Sequence, residues 1–186
     1  MKGRKIVFTA PNQVETQTTE FDLKIDDPNQ VILKNHYSVI SAGTEFACLA
    51  GTEGWFPLPN TPGYIAVAEV VEAGDAVNVK PGQLCFTYGP HAEYFKIDTT
   101  DRFGGMCLPV PKNLAPELAP FTRMASIPMT AIRTATIELG DVVVVMGQGL
   151  VGNLAAQLAA LQGATVYPVD IADKRLDLAT SCGIAT

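Results

Sequence analysis

The sequence predicts a mixed β and α/β chain: an antiparallel β-barrel over residues 1–120, then the first β-α-β-α portion of a parallel, doubly wound sheet over 121–186. Three observations carry that reading. Up to about residue 111, short apolar runs alternate with Gly, Pro, Asn and Asp turns and show little helical periodicity. From about residue 115 the texture becomes helix-biased. Finally, "DVVVVMG" (141–147) runs into a glycine-rich turn and an apolar helical segment, the opening of a parallel crossover unit.

Taken in order, strands are expected at "KIVFTA" (5–10), "QVILKNHYSVISA" (30–42), "YIAVAEVVEAG" (64–74), "QLCFTY" (83–88), "AEYFKI" (92–97) and "MCLPVP" (106–111). Pro81 and Gly82 make a turn at one strand entry. A short helix is expected at "TEFACLAG" (44–51), with Thr44 as N-cap and Gly51 as C-cap. The segment 115–138 is helical but is expected to break at Pro120 and Pro128. "DVVVVMG" is continuously apolar, the pattern of a strand buried on both faces. In "LVGNLAAQLAALQG" (150–163) the apolar stripe is Val151, Leu154, Ala155 and Leu158, stopping at Gly163. "ATVYPVD" (164–170) is the next strand, where Pro168 would cost a ladder bond unless it lies at a bulge or strand end. "DKRLDLATSCG" (173–183) closes as a helix ending at Gly183.

Composition bounds the function. With 186 residues, 47% hydrophobic and 17% charged, the chain is globular, of one or two domains. A net charge of -6 leaves no basic footprint for nucleic acid. The apolar run after "MKGRK" is too short for a signal peptide, and no stretch is long enough to span a membrane, so a cytoplasmic protein is expected. Cys48, Cys85, Cys107 and Cys182 show no zinc-ligand spacing and read as reduced thiols. His36 and His91 cannot build a metal site alone; His91 reads as ending a turn before a strand, with a cleft position as the alternative.

Gly147, Gly149 and Gly152 form G-x-G-x-x-G between strand and helix, with Asp170 ending the next strand 18 residues after Gly152. Gly147 suits a tight turn, Gly149 a close approach of backbone to a pyrophosphate, and Gly152 close helix-strand packing. The first helical turn, Leu150 and Val151 included, offers free N–H groups and a positive dipole end to an anion. Asp170 would accept from ribose hydroxyls and repel a 2′-phosphate, favouring NAD over NADP; Lys174 and Arg175 soften that preference. The alternative is a glycine turn that serves packing alone, with Asp170 as an N-cap.

"SVISAGTE" (38–45), "TPGYIAVAEVVEAG" (61–74), "VKPGQLCF" (79–86) and "GPHAEYFKI" (89–97) together resemble the medium-chain dehydrogenase/reductase family, the zinc-type alcohol dehydrogenase-like proteins. "SAGTE" with "PGY" is most similar to the branch holding bacteriochlorophyllide hydroxyethyl dehydrogenases and polyol dehydrogenase homologues. The resemblance covers the whole chain and implies a GroES-like barrel as the substrate and catalytic domain (1–120), a partial Rossmann domain (121–186), a cleft between them and hydride transfer with a nicotinamide. It also implies that the chain is the amino-terminal part of such an enzyme, inactive alone. Either the chain is a piece of a longer product, or a partner covers the apolar face that a two-stranded parallel sheet leaves open.

The departures matter equally. Where zinc-dependent members carry a cysteine this chain has Ala42, where they carry His-Glu it has Tyr64 and Ile65, and near the third ligand it has Ile127 and Pro128. The lobe for a structural zinc is missing, since Gly89 and His91 follow the strand at once. No zinc is expected. Thr44 matches the hydroxyl that relays the substrate proton, and Tyr64 occupies a vacated ligand position where it could donate one; the alternatives are a helix cap and a packed aromatic. Glu45 matches an acid that braces an arginine. Trp55 and Phe56 line an apolar substrate pocket or merely anchor their loop. The expected function is zinc-independent, NAD-linked hydride transfer on a small alcohol or carbonyl, in a homo-oligomer when complete. Alternatives are a quinone or enone reductase, and a non-catalytic nucleotide-binding or structural homologue.

Overall fold

A computed structural model describes residues 1–184, and the chain divides into two compact units, Met1–Pro120 and Phe121–Thr186. Among the described residues no helix is long and apolar enough to cross a membrane.

The first unit is antiparallel. Strands β1 (Lys2–Ala10) and β2 (Gln13–Glu20) form a hairpin turned at Asn12, whose φ is 59°. Strands β3 (Gln30–Ser38), β4 (Ala66–Ala73), β5 (Leu84–Thr87), β6 (Tyr94–Asp98) and β7 (Cys107–Pro109) make a five-stranded sheet in the order β6-β3-β4-β5-β7. Two isolated bridges, Lys5 to Ala92 and Phe8 to Asn60, tie the hairpin to the rest. The core follows from period-2 alternation: Val31 and Leu33, Ala66, Ala68 and Val70, Phe95 and Ile97 all point to one side, with Cys85 among them. Val67, on the opposite face of β4, is buried as well.

Two features differ from the sequence reading. Strand β2 is not among the strands that short apolar runs predict, because its residues are polar and mostly exposed; its pairing with β1 is held by main-chain bonds, which need no buried face. Helix α1 (Ala42–Ala50) begins before Thr44, so the N-cap is Ser41 and Thr44 lies inside the helix. The Ser41 amide donates to Glu45 Oε1 at 2.8 Å, which fixes the start. Gly51 ends α1 as expected, with φ 74° and its N–H donating to Cys48 O.

In the second unit α2 (Phe121–Thr134) runs through Pro128 unbroken. Met124, Pro128 and Ile132 are its buried residues, spaced by four, so the proline's lost hydrogen bond is offset by a place on the packed stripe. Strand β8 (Val142–Met146) pairs in parallel with β9 (Thr165–Val169), flanked by α3 (Leu150–Leu161) and α4 (Asp173–Ser181). Ile132, Ala156, Ala159, Val166, Ala179 and Ile184 form the core, with Val143 and Val145 packed against it.

Here too the sequence expectation needs correction. Strand β8 is covered on one face: Val142 is 69%, Val144 59% and Met146 82% exposed. The buried positions of α3 are Asn153, Ala156 and Ala159, while Val151 is exposed; the inward stripe is rotated toward small side chains, which allow close approach to neighbouring elements. Pro168 does sit within β9. Thr165 N donates to Asp141 O and Gly147 N to Val169 O, so alternation turns the nitrogen of Pro168 to the outer edge, where no ladder bond is lost.

Candidate functional site

The glycine-rich turn is built from its backbone. Gly147 leaves β8 with φ 87°, a left-handed conformation that favours glycine. A Cβ on Gly152 would collide with the Gly147 carbonyl, so the third glycine is demanded by the turn itself. A Cβ on Gly149 would meet nothing within 4 Å. The space over Gly149 is therefore open. Helix α3 starts at N-cap Gly149 with no side chain capping it, and its first helical bond runs from Asn153 N to Gly149 O at 2.8 Å. Leu150 and Val151 are exposed in that first turn.

Asp170 stands beside this turn with its side chain 2% exposed. It accepts from the Gln148 amide at 2.6 Å, the Ala172 amide at 2.9 Å and Arg175 Nη1 at 3.4 Å. The Gln148 amide foremost, then that of Ala172 and the Arg175 guanidinium, hold its carboxyl below the usual range. Asp170 is not a helix N-cap; that position in α4 is Ala172. Gln148 is the residue the motif hides, being one of its variable positions. Its side chain is buried, donates from Nε2 to Val145 O at 2.8 Å, and leaves Oε1 without a partner among the described residues. A glycine turn with room over Gly149, an uncapped helix start and an acidic strand end fit a dinucleotide.

In the first unit, Thr44 and Tyr64 are half-buried, and neither hydroxyl makes a hydrogen bond among the described residues. Trp55 is 65% exposed and donates from Nε1 to Glu53 Oε2 at 2.6 Å, while Phe56 packs edge-on against Phe8 at 6.2 Å. Among the described residues Glu45 braces a histidine and no arginine: its Oε2 lies 2.9 Å from His91 Nε2. His91 Nδ1 is 2.9 Å from Ser38 Oγ. These three polar groups edge a cavity of about 470 Å³ whose apolar walls include Ile6, Phe8, Ile40, Phe46 and Leu49, with Ala42 beside them.

At the positions the zinc ligands would take, Ala42 has no donor atom, Ile65 is buried and apolar, and Tyr64 offers a phenol. Among the described residues no three His, Cys, Asp or Glu side chains group to hold a metal ion. This donor set does not fit zinc.

No family model matches the chain. It is 27% identical over 208 residues to an uncharacterised zinc-type alcohol dehydrogenase-like protein of Haemophilus influenzae, a match covering 97% of this chain and 60% of the relative. It is also 27% identical to the 2-desacetyl-2-hydroxyethyl bacteriochlorophyllide A dehydrogenase of Rhodobacter capsulatus, over 88% of this chain and 54% of that protein. In structure it matches a candidate zinc-binding dehydrogenase from Sinorhizobium meliloti 1021, bound to NADP, with a TM-score of 0.86 at 21% identity, covering 100% of this chain and 61% of that one. The chain thus spans about 60% of the length of the first of these relatives. The antiparallel unit followed by the β-α-β-α unit matches the amino-terminal portion of these dehydrogenase folds. The chain is a homologue of zinc-type alcohol dehydrogenase-like proteins and of the bacteriochlorophyllide and polyol dehydrogenases, with its structural neighbours in the medium-chain dehydrogenase/reductase family.

Proposed function

We propose that the chain belongs to a zinc-independent oxidoreductase that uses NAD(H) to oxidise a small alcohol or reduce the matching carbonyl. The observation that carries this reading is the turn from Gly147 to Gly152 lying beside Asp170. The turn backbone and the α3 N-terminus supply N–H groups for a pyrophosphate, and Asp170, which accepts from Gln148, Ala172 and Arg175, keeps about one lone-pair site for a ribose hydroxyl. When bound, the nicotinamide supplies the hydride exchange. The chain's own residues must then handle the proton.

Zinc independence rests on the donors at the ligand positions. Without a metal, negative charge growing on a carbonyl oxygen needs a hydroxyl donor within about 2.6 to 3.2 Å. Tyr64 is the proposed donor and Thr44 the relay, since threonine is too weak an acid to serve alone. Trp55 and Phe56 supply apolar surface for the substrate. In the enzyme, Tyr64→Phe should lower turnover about 10²-fold with NAD(H) affinity unchanged, and Thr44→Val should cost the same or less. Wild-type turnover in both variants would remove these two residues from the mechanism. Metal analysis of protein purified without chelator should find far less than one zinc per chain; stoichiometric zinc retained through dialysis would contradict the reading of Ala42, Tyr64 and Ile65.

A further inference from the structure

Ser38, His91 and Glu45 form a chain of contacts that the hydride chemistry does not use. Each comes from a different element. Ser38 ends β3, just beyond a register shift between Asn35 and Tyr37, and is exposed. His91 sits on the turn before β6, where its backbone N donates to Pro62 O at 2.7 Å and Gly63 packs against its ring and amide. Glu45 lies in the first turn of α1. The His91 and Glu45 side chains are 9% and 7% exposed. Ser38 Oγ to His91 Nδ1 and His91 Nε2 to Glu45 Oε2 are both 2.9 Å.

This is the arrangement of an activated nucleophile: a hydroxyl on a base, and the base oriented by a third group. Glu45 is itself fixed, because its other oxygen accepts the Ser41 amide at 2.8 Å. A carboxylate only accepts, so it takes Nε2–H and leaves the Nδ1 lone pair facing the Ser38 hydroxyl. The serine opens onto a cavity of about 470 Å³ with apolar walls, among which Ile40 and Phe46 are exposed. Ser38, His91 and Glu45 are the polar residues lining it. A buried dyad ending at an exposed hydroxyl beside apolar surface suits a ligand with an apolar chain and one polar reacting group.

We propose that Ser38 is a nucleophile activated by His91 and positioned by Glu45, and that this site takes a small ester with an apolar acyl chain. Ser38 Oγ bonds to the ester carbonyl carbon while its proton passes to His91 Nδ1. The bond from that carbon to the alkoxy oxygen then breaks, and the same proton leaves with the alcohol. Water attacks the acyl-serine, gives one proton to His91, and releases the acid as that proton returns to Ser38 Oγ. No oxidant or reductant enters. The site lies wholly within the first unit, so it stands or falls separately from the nucleotide chemistry of the second.

The test uses the 186-residue chain with a fluorophosphonate probe and with p-nitrophenyl butyrate, the modified residue being located by peptide mass spectrometry. The expected result is one adduct on Ser38, absent in Ser38→Ala, with the labelling rate reduced about 10²-fold in His91→Asn and less severely in Glu45→Gln. Ser38→Ala replaces an exposed side chain and keeps the fold, which circular dichroism confirms. Three outcomes would overturn the proposal: no adduct, an adduct elsewhere with Ser38 unmodified, or labelling of Ser38 at the same rate in His91→Asn and Glu45→Gln. The last would leave the triad as a structural tie between β3, α1 and the turn before β6.

Discussion

Strands β4 and β8 both carry apolar side chains on both faces, yet they end in opposite surroundings. In β4 the consecutive residues Ala66, Val67 and Ala68 are all buried, whereas in β8 burial alternates and Val142, Val144 and Met146 face outward. The difference lies in what the rest of each unit supplies. Strand β4 is flanked by β3 and β5 within an antiparallel unit that covers both of its faces. Among the described residues, strand β8 has one sheet neighbour, β9, and a packed core on one face. An apolar run therefore states what a strand tolerates, and the layers around it decide what is buried.

The largest expected effect is in the first unit. Leu33→Ala should destabilise by about 2–5 kcal/mol, the range for truncating a buried leucine, measured by denaturant unfolding. A loss under about 1 kcal/mol would mean that the first unit is as loosely covered as β8. Next comes Gly152→Ala, which drives a Cβ into the Gly147 carbonyl. It should cost about 1–3 kcal/mol, as overpacking does, and abolish measurable dinucleotide binding. Unchanged stability would show that the turn has room that its backbone geometry denies.

Asp170→Asn sharpens the comparison through pH. The native carboxyl is held below its unfolded value of about 3.9, so its stabilising contribution is fully present above that pH and fades as pH falls through the native value. Thermal melts should therefore separate wild type from the variant at pH 7 and bring them together as pH falls through the lowered native value. A gap that persists or widens in acid would reverse the sign. The smallest effect is on the open sheet face: Val144→Thr should change stability by no more than about 0.5 kcal/mol, whereas Val67→Thr, on a covered face, should cost clearly more.

What was legible in the sequence follows the same line. Short apolar runs between turn residues located β3, β4 and β6; burial then alternates along β6, while β3 and β4 each bury three residues in a row. The turn of Gly147, Gly149 and Gly152 was legible because backbone conformation demands glycine at two of these positions. Strand β2 was hidden, since main-chain pairing leaves no mark on polar side chains. Pro128 misled because its place on a packed stripe, which depends on the neighbouring helix, outweighs its local effect. The Ser38, His91 and Glu45 contacts join positions 53 and 46 residues apart, and no local pattern announces them.

The central claim is that the turn at Gly147 to Gly152, with Asp170, holds NAD(H). Isothermal titration of the full-length enzyme with NADH and with NADPH tests it most directly. NADH should bind, and bind more tightly than NADPH, and Asp170→Ala should narrow the difference. Tighter binding of NADPH, or no binding of either nucleotide, would contradict it.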